Sequence, residues 1–176
     1  RLGELTEHIP KPMVTVGEEP ILLQIMRAYA AFGFDDFVIA AGYKKEIIQQ
    51  YFLNFRTTVS DFTIDLNDGG LAFHKHSDLK WKITVVDTGR NTLTGGRLLR
   101  LKKYLGGSTF MLTYGDGVAD VNFSDELAFH QENKKLVTVC AVRPSARFGE
   151  LKISGDAVES FQEKPQVQEG WINGGF

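Results

Sequence analysis

The sequence lacks most of the features that mark secreted, membrane-spanning or nucleic-acid-binding proteins. It has a single cysteine, Cys140, which excludes an internal disulfide and favours a reducing, cytoplasmic setting. No apolar run approaches the roughly 18 residues that a membrane-spanning helix needs. The net charge is only −2, so we expect neither nucleic acid nor a membrane surface to be the main partner.

What is present is the composition of an ordinary globular protein. Hydrophobic residues make up 43% of the chain and charged residues 24%. A chain of 176 residues can bury about 70% of its unfolded surface, so we expect residues 1–176 to form one domain. The sequence does not begin with Met and stops in an apolar, glycine-rich segment, from which we expect an internal piece of a longer protein.

Hydrophobic patterning alternates between helix and strand along most of the chain. Apolar residues at helical spacing predict helices, and unbroken apolar runs predict strands buried on both faces of a parallel sheet. Two late strands flank Gly155-Asp156, which is a hairpin signal. This order predicts an α/β fold with a doubly wound, mainly parallel sheet and a β-rich extension. The predicted helices lie within residues 21–33, 47–52, 94–105 and 124–133 (with Ser124 as N-cap), and the predicted strands within 37–41, 57–66, 83–86, 109–114, 136–142, 150–154 and 157–162.

One predicted strand, residues 110–114, runs directly into Gly115-Asp116-Gly117. This would place a carboxylate at the carboxyl end of a buried strand, where ligands collect in open α/β sheets. A carboxylate flanked by glycines suits Mg²⁺, which takes one or two carboxylates together with substrate phosphates. By itself the tripeptide also fits ordinary turn chemistry.

The segment Thr94-Gly95-Gly96-Arg97 is predicted to begin a helix. Its glycines would expose backbone N–H groups at the positive end of the helix dipole, which favours an anion. Arg97 is electrostatically misplaced in a first turn unless an anion lies beside it. The alternative is a capped helix with a solvent-facing arginine. Thr92, in the preceding loop, could reach a ligand in the same crevice.

Three further segments place polar groups where a site would need them. Lys11 lies between two prolines, Glu163 and Lys164 follow a predicted strand, and Asn173 precedes Gly174. Each also has an ordinary interpretation, respectively a solvated lysine, an exposed ion pair and a turn. Taken singly these segments do not indicate a function, so any function must be inferred from their combination and order along the chain.

The motifs follow one another in a fixed order over nearly the whole chain. They are Lys-Pro-Met, Thr-Gly-Gly-Arg, Tyr-Gly-Asp-Gly, Glu-Lys-Pro and Asn-Gly-Gly. This series resembles the sugar-1-phosphate nucleotidylyltransferases, and segments 94–98 and 114–120 point to the cytidylyl branch of that family. Members of the family begin with a strand and a loop ending in Gly-Thr-Arg-Leu, of which Arg1-Leu2 would remain here.

The resemblance implies that a cytidylyl group is transferred from CTP to glucose 1-phosphate, giving CDP-glucose and pyrophosphate, with Mg²⁺ as cofactor. It also implies a sugar-binding role for the β-rich extension and, by analogy, a homo-oligomer. The implied roles are that Arg1 and Lys11 hold the triphosphate, Thr92 and Arg97 lie on the nucleotide side, Gly115 admits the nucleotide, Asp116 binds Mg²⁺, Glu163 accepts hydrogen bonds from sugar hydroxyls, Lys164 grips the sugar phosphate, and Asn173 with Gly174 binds the sugar.

The sequence also differs from the family pattern, and two alternative functions remain. A missing first strand would bare neighbouring strand edges, and the family's second metal carboxylate would lie downstream, so we expect the 176-residue piece alone to be poorly stable and inactive. One rival is the same chemistry with UTP or dTTP, and another is a non-catalytic nucleotide- or sugar-binding subunit. The carboxylate of Asp116 and the cations Lys11, Arg97 and Lys164 favour the enzyme.

Overall fold

A computed structural model describes residues 5–74, 79–143, 150–162 and 171–176. Contacts between these residues group them into two compact units. The first comprises the described residues up to Phe110 together with Gly115–Val121, and the second comprises Met111–Tyr114 and the described residues from Asn122 onward. That residues 1–176 form a single domain stays a prediction.

The first unit alternates short helices and strands. Among the described residues, no helix is both long and apolar enough to cross a membrane. The elements in chain order are α1 (Leu5–His8), a 3-10 helix (Lys11–Met13), β1 (Thr15–Val16), β2 (Glu19–Pro20), α2 (Ile21–Ala30), β3 (Asp36–Ala41), α3 (Lys45–Leu53), α4 (Phe55–Val59), β4 (Phe62–Ile64), β5 (Leu71–Phe73), β6 (Lys82–Asp87) and α5 (Thr94–Leu105).

Strands β3 and β6 form a parallel pair, which confirms both predicted strands and the parallel sheet. The register runs from Asp36 opposite Lys82 to Ala41 opposite Asp87. A parallel pair needs a long crossover connection, and here α3, α4 and the β4–β5 hairpin supply it. Because both strands run the same way, their carboxyl ends and the loops that follow lie at one edge of the sheet.

The core of the first unit is built by one face of α2, by α3 and by the sheet. The apolar residues of α2 recur at helical spacing, and the helix ends at Ala30, three residues earlier than predicted. Gly33, at a φ of 87°, follows in the left-handed conformation that commonly ends helices. The central buried cluster consists of Met13, Leu22, Met26, Ala41 and Ile48.

An ion pair between Glu19 and Arg27 fastens β2 to α2 and makes stability depend on pH. Arg27 donates to the two carboxylate oxygens of Glu19 at 2.9 and 2.7 Å, and this holds the pKa of Glu19 below its ordinary value. A carboxyl whose pKa is lowered on folding stabilises the protein above its unfolded pKa, and that stabilisation is lost as the pH falls through the folded pKa.

We therefore expect Glu19→Gln to destabilise the protein at pH 7, and we expect its difference from the wild type to be smaller at about pH 3. The difference at pH 7 should not exceed about 1 kcal/mol, because both side chains are more than a third exposed and solvent screens the pair. Urea unfolding at the two pH values measures it. Glu18→Gln removes the same charge one residue earlier and is the control; equal losses in both variants would contradict the prediction.

The second unit contains one helix and two antiparallel strand pairs. The predicted hairpin is confirmed, since β8 pairs with β9 around the turn at Gly155-Asp156. Phe123 is buried and its ring centroid lies 5.8 Å from that of Phe176. The elements are α6 (Phe123–Asn133), β7 (Ala141–Val142), β8 (Glu150–Ser154), β9 (Ala157–Gln162) and β10 (Ile172–Asn173), and β10 pairs with β7.

Four local predictions differ from the structure in whole or in part. Residues 110–114 form no strand, and Leu112 and Tyr114 are about half exposed, because no described segment forms a ladder with their backbone. Strand β7 begins at Ala141 rather than 136. The N-cap of α6 is Asn122 rather than Ser124, since the Asn122 side chain accepts the backbone N–H bonds of the first turn. The region 57–66 is divided between α4 and β4.

Candidate active site

The structure brings Lys11 and Asp116 together, although 105 positions separate them in the chain. Lys11 Nζ lies 3.5 Å from Asp116 Oδ2, and the two side chains are 61% and 41% exposed. Both residues were predicted site residues, one as a cation for phosphate and one as a metal ligand. The contact therefore forms a solvent-accessible pair of opposite charges, in which each group remains open to a ligand.

The lysine is held on a firmly anchored turn. Pro10 accepts a hydrogen bond from Met13 N at 2.8 Å, and the Lys11 carbonyl accepts one from Val14 N at 3.1 Å. Met13 and Val14 are buried, so the turn is fixed to the core while the Lys11 side chain points to solvent. The prolines stiffen the backbone on both sides, which reduces the freedom that the turn loses when it orders.

Gly115 brings the two charged segments together because it lacks a side chain. A Cβ at this position would lie 2.9 Å from Cγ and 3.4 Å from Cβ of Pro12. Both Pro12 atoms belong to a ring in the anchored turn, so they cannot swing aside as the end of a flexible side chain could. The close approach that the structure shows at Gly115 is therefore made by Pro12, the neighbour of Lys11.

We expect Gly115→Ala to move Lys11 away from Asp116 and to lower kcat/KM about tenfold, since small displacements of positioned groups are costly in catalysis. The destabilisation should be about 1 kcal/mol, as for a modest overpacking. Gly117→Ala is the matched control, because a Cβ there would meet nothing within 4 Å. Steady-state kinetics and thermal unfolding of both variants check this, and equal activity in the two would refute it.

A second group of contacts lies at the carboxyl edge of the β3–β6 pair. Thr88 is fully buried, and both its backbone N and its Oγ1 donate to the Ala41 carbonyl at 2.8 Å. Arg97, in the first turn of α5, donates to Thr88 Oγ1 at 2.5 Å and to the carbonyls of Ala41 and Arg90 at 3.3 and 3.4 Å. These acceptors offset the unfavourable position of a cation at a helix N-terminus.

From the sequence we expect an anion beside Arg97. The structure shows instead that Arg97 donates to three oxygen atoms of the protein. Three hydrogen bonds engage only part of a guanidinium that carries five N–H donors. Helix α5 begins at an N-cap residue, Leu93, that makes no side-chain cap hydrogen bond. Anion binding at this helix terminus stays a prediction.

Thr92 is held by Arg100, a residue that the sequence analysis missed. Arg100 Nη1 donates to Thr92 Oγ1 at 2.9 Å and to the Thr88 carbonyl at 2.5 Å. The available signal was its spacing, since Arg100 follows Arg97 by three residues and therefore lies on the same side of the helix.

The carboxylate at the end of β6 is committed to protein partners. Lys45 donates to Asp87, and Gly89 N donates to Asp87 Oδ1 at 2.9 Å. The Lys45 bond, followed by the Gly89 bond, keeps the pKa of Asp87 below its ordinary value. Asp116 differs, because among the described residues its carboxylate has one contact, with Lys11, at the longer distance of 3.5 Å.

The remaining predicted site residues fall elsewhere. In the second unit, Asn173 Oδ1 accepts from Gly175 N at 2.8 Å, and Gly174 N donates to the Cys140 carbonyl at 2.8 Å. A Cβ at Gly174 would approach that carbonyl to 3.0 Å, so this glycine allows the close packing beside β7. Arg1, Glu163 and Lys164 lie outside the described residues.

The donor set fits Mg²⁺ bound jointly by protein and substrate. Across the described ranges, no three His, Cys, Asp or Glu side chains come together as a cage made by the protein alone. Magnesium commonly uses one or two carboxylates, water and substrate phosphates instead, and an accessible carboxylate beside a lysine matches that arrangement. Asp116 is the described residue that would hold the ion.

Comparison with known proteins identifies the family of this chain. Residues 1–176 match the nucleotidyl transferase family model. The chain belongs to the nucleotidyl transferase family. It is 43% identical over 177 residues to glucose-1-phosphate cytidylyltransferase of Salmonella typhi, covering all of this chain and 69% of that protein. It is 39% identical to the probable glucose-1-phosphate cytidylyltransferase of Bacillus subtilis, covering 68% of it.

A solved structure supports the fold of this family member. HddC from Yersinia pseudotuberculosis, in a complex with GMP-PN, superposes with a TM-score of 0.58 at 22% identity, covering 98% of this chain and 68% of that one. At that identity the likeness establishes the fold alone. It confirms the predicted α/β nucleotidyltransferase fold with a parallel sheet.

Proposed function

We propose that this nucleotidyl transferase moves a cytidylyl group from CTP to α-D-glucose 1-phosphate, with CDP-glucose and pyrophosphate as products. The observation that carries the proposal is the Lys11–Asp116 pair, which sets a lysine cation suited to phosphate beside a carboxylate suited to Mg²⁺. The identity of 39–43% to proteins named glucose-1-phosphate cytidylyltransferase supports the choice of nucleotide and sugar.

The reaction needs positioning and charge neutralisation rather than a protein nucleophile. An oxygen of the sugar phosphate attacks the α-phosphorus of CTP, the new P–O bond forms in line with the bond that breaks, and pyrophosphate leaves with its electron pair. Negative charge accumulates on the phosphate oxygens during this step. Preorganised cations near those oxygens therefore lower the barrier.

Among the described residues of the first unit, the contacts given above support the proposed roles. Lys11 contacts the triphosphate from its anchored turn, and Asp116 holds Mg²⁺, which when bound neutralises phosphate charge. Arg97 and Thr92 line the nucleotide side, where the first turn of α5 offers uncapped N–H groups. Asn173 and Gly174 are proposed to contact the sugar, as are Glu163 and Lys164, while Arg1 is proposed to share the triphosphate with Lys11.

Pyrophosphate release is the direct test. The full-length protein is incubated with glucose 1-phosphate, Mg²⁺ and, in turn, CTP, UTP, dTTP and GTP. We expect release with CTP at least about tenfold faster than with the other nucleotides, since a site that bonds the base discriminates strongly. Preference for another nucleotide would keep the chemistry and refute the specificity, whereas no release by a folded protein would favour a non-catalytic binding subunit.

We also propose a cellular location and an assembly state. The lone Cys140 supports a cytoplasmic location, where thiols stay reduced. A homo-oligomer is proposed by analogy with the family. Light scattering of the purified protein measures the second point, and a monomer at micromolar concentration would refute it.

A further inference from the structure

The loop that joins β6 to α5 carries Thr92 and accepts two hydrogen bonds from the guanidinium of Arg100. Arg100 Nη1 donates to the Thr88 carbonyl at the start of the loop, at 2.5 Å, and to Thr92 Oγ1 near its end, at 2.9 Å. The same nitrogen therefore bridges the two ends of a five-residue segment. Arg100 is itself exposed, so these bonds reach from a surface helix back over the loop.

The beginning of this loop is fixed without Arg100. Its later part is held both by Arg97, which donates from Nη2 to the Arg90 carbonyl at 3.4 Å and from its backbone N to the Leu93 carbonyl at 3.0 Å, and by Arg100. Thr88 is fully buried with two bonds to Ala41, and Gly89 N is bonded to Asp87. Beyond that point the apolar side chain of Leu93 is 84% exposed, so hydrophobic burial does not hold the loop. Polar contacts therefore position the part that carries Thr92, and Arg100 supplies the one to the Thr92 side chain.

The space around Gly89 is a second observation that the loop lies close to the Arg100 guanidinium. A Cβ at Gly89 would overlap Arg100 Nη1 and would lie 2.7 Å from Thr92 Oγ1, and the residue has a φ of 87°. A side chain at this position would meet both an unfavourable backbone conformation and the two hydrogen-bonding groups. The loop is thus shaped so that Arg100 and Thr92 can meet.

We propose that Arg100 is a positioning residue that fixes Thr92, and with it the nucleotide side of the site, without touching the substrate. The inference rests on the proposed function, because Thr92 is assigned to the nucleotide there. A residue that acts in this way should govern nucleotide affinity and leave the sugar phosphate and the chemical step unchanged.

The test compares Arg100→Met, which keeps the length of the side chain but removes its donors, with Lys102→Met. Lys102 is an exposed cation on the same helix, so its variant removes the same charge two residues away. For Arg100→Met we expect the KM for CTP to rise about tenfold, with kcat and the KM for glucose 1-phosphate within about twofold of wild type. Lys102→Met should behave as wild type.

Two further readouts separate positioning from a general structural role. In a Thr92→Val background, Arg100→Met should raise the KM for CTP by less than about a further twofold, because Thr92→Val has already removed the Arg100–Thr92 hydrogen bond. Amide hydrogen exchange without substrates should speed up about fivefold at residues 89–93 in Arg100→Met and not in Lys102→Met. Additive KM effects, or an unchanged exchange rate, would overturn the inference.

Failure of the proposed function gives a different result. If the wild type transfers no cytidylyl group, calorimetric titration with CTP, UTP, dTTP and GTP replaces kinetics, and the hydrogen-exchange comparison is unaffected. A bound nucleotide whose Kd rises about tenfold in Arg100→Met supports the positioning role even then. Equal Kd values in the two variants, or no nucleotide binding at all, would overturn it.

Discussion

Replacement of Asp116 by asparagine is expected to lower kcat by about a thousandfold or more at saturating Mg²⁺. The amide has nearly the same shape as the carboxylate but lacks the charge that a hard divalent cation prefers. Stabilisation by the metal of transition-state charge amounts to several kcal/mol, and each 1.4 kcal/mol corresponds to about a tenfold change in rate. Pyrophosphate release with CTP and glucose 1-phosphate, measured over a range of Mg²⁺ concentrations, gives the effect directly.

The control for this experiment lies four residues further along the chain. Asp120 is an exposed carboxylate in the same segment, so Asp120→Asn makes the same chemical change nearby. We expect it to keep kcat within about threefold of wild type, and we expect both variants to unfold at the wild-type temperature because surface charges contribute little to stability. If Asp116→Asn kept more than a tenth of the wild-type activity, the proposed role of Asp116 in binding Mg²⁺ would be refuted.

The sequence predicted well those elements whose partners also carry a strong local pattern. Strands β3 and β6 are apolar runs that pair with each other, and the β8–β9 hairpin surrounds a glycine turn, so local pattern and pairing agree. Residues 110–114 have an equally strong apolar pattern, yet they form no strand. A strand requires a second backbone to bond with, and the pattern of the segment itself does not reveal whether that partner is there.

In the candidate site too, the sequence indicated what depends on local pattern and missed what depends on the packing of distant segments. Residue types and glycine spacing indicated Lys11, Asp116 and the start of α5 as chemically suitable. The contact of Gly115 with Pro12 and the bond from Arg100 to the loop were missed, since they depend on how distant segments pack. Sequence patterns thus indicated groups suited to the proposed chemistry, and the structure showed which residues contact them.

Replacement of Lys11 by methionine should produce the second-largest effect, a fall in kcat/KM of about a hundredfold. Methionine retains the length of the side chain and removes the charge that would stabilise phosphate oxygens as the bond to pyrophosphate breaks. Loss of one preorganised donor to a developing anion costs about a hundredfold to a thousandfold in comparable sites. Stability should be unchanged, because Lys11 and Asp116 are 61% and 41% exposed and an exposed pair contributes at most about 1 kcal/mol.

The Lys82–Asp36 pair provides the matched control for Lys11. It is also a surface ion pair, with Nζ and Oδ2 2.8 Å apart, and it lies at the opposite end of the strands, where β3 and β6 begin. Lys82→Met should leave both kinetics and thermal unfolding near wild type. The double variant of Lys11→Met with Asp116→Asn should lose less than the sum of the two single losses in transition-state free energy, because both groups act on the same phosphates. Full additivity would mean that the contact between them has no part in catalysis.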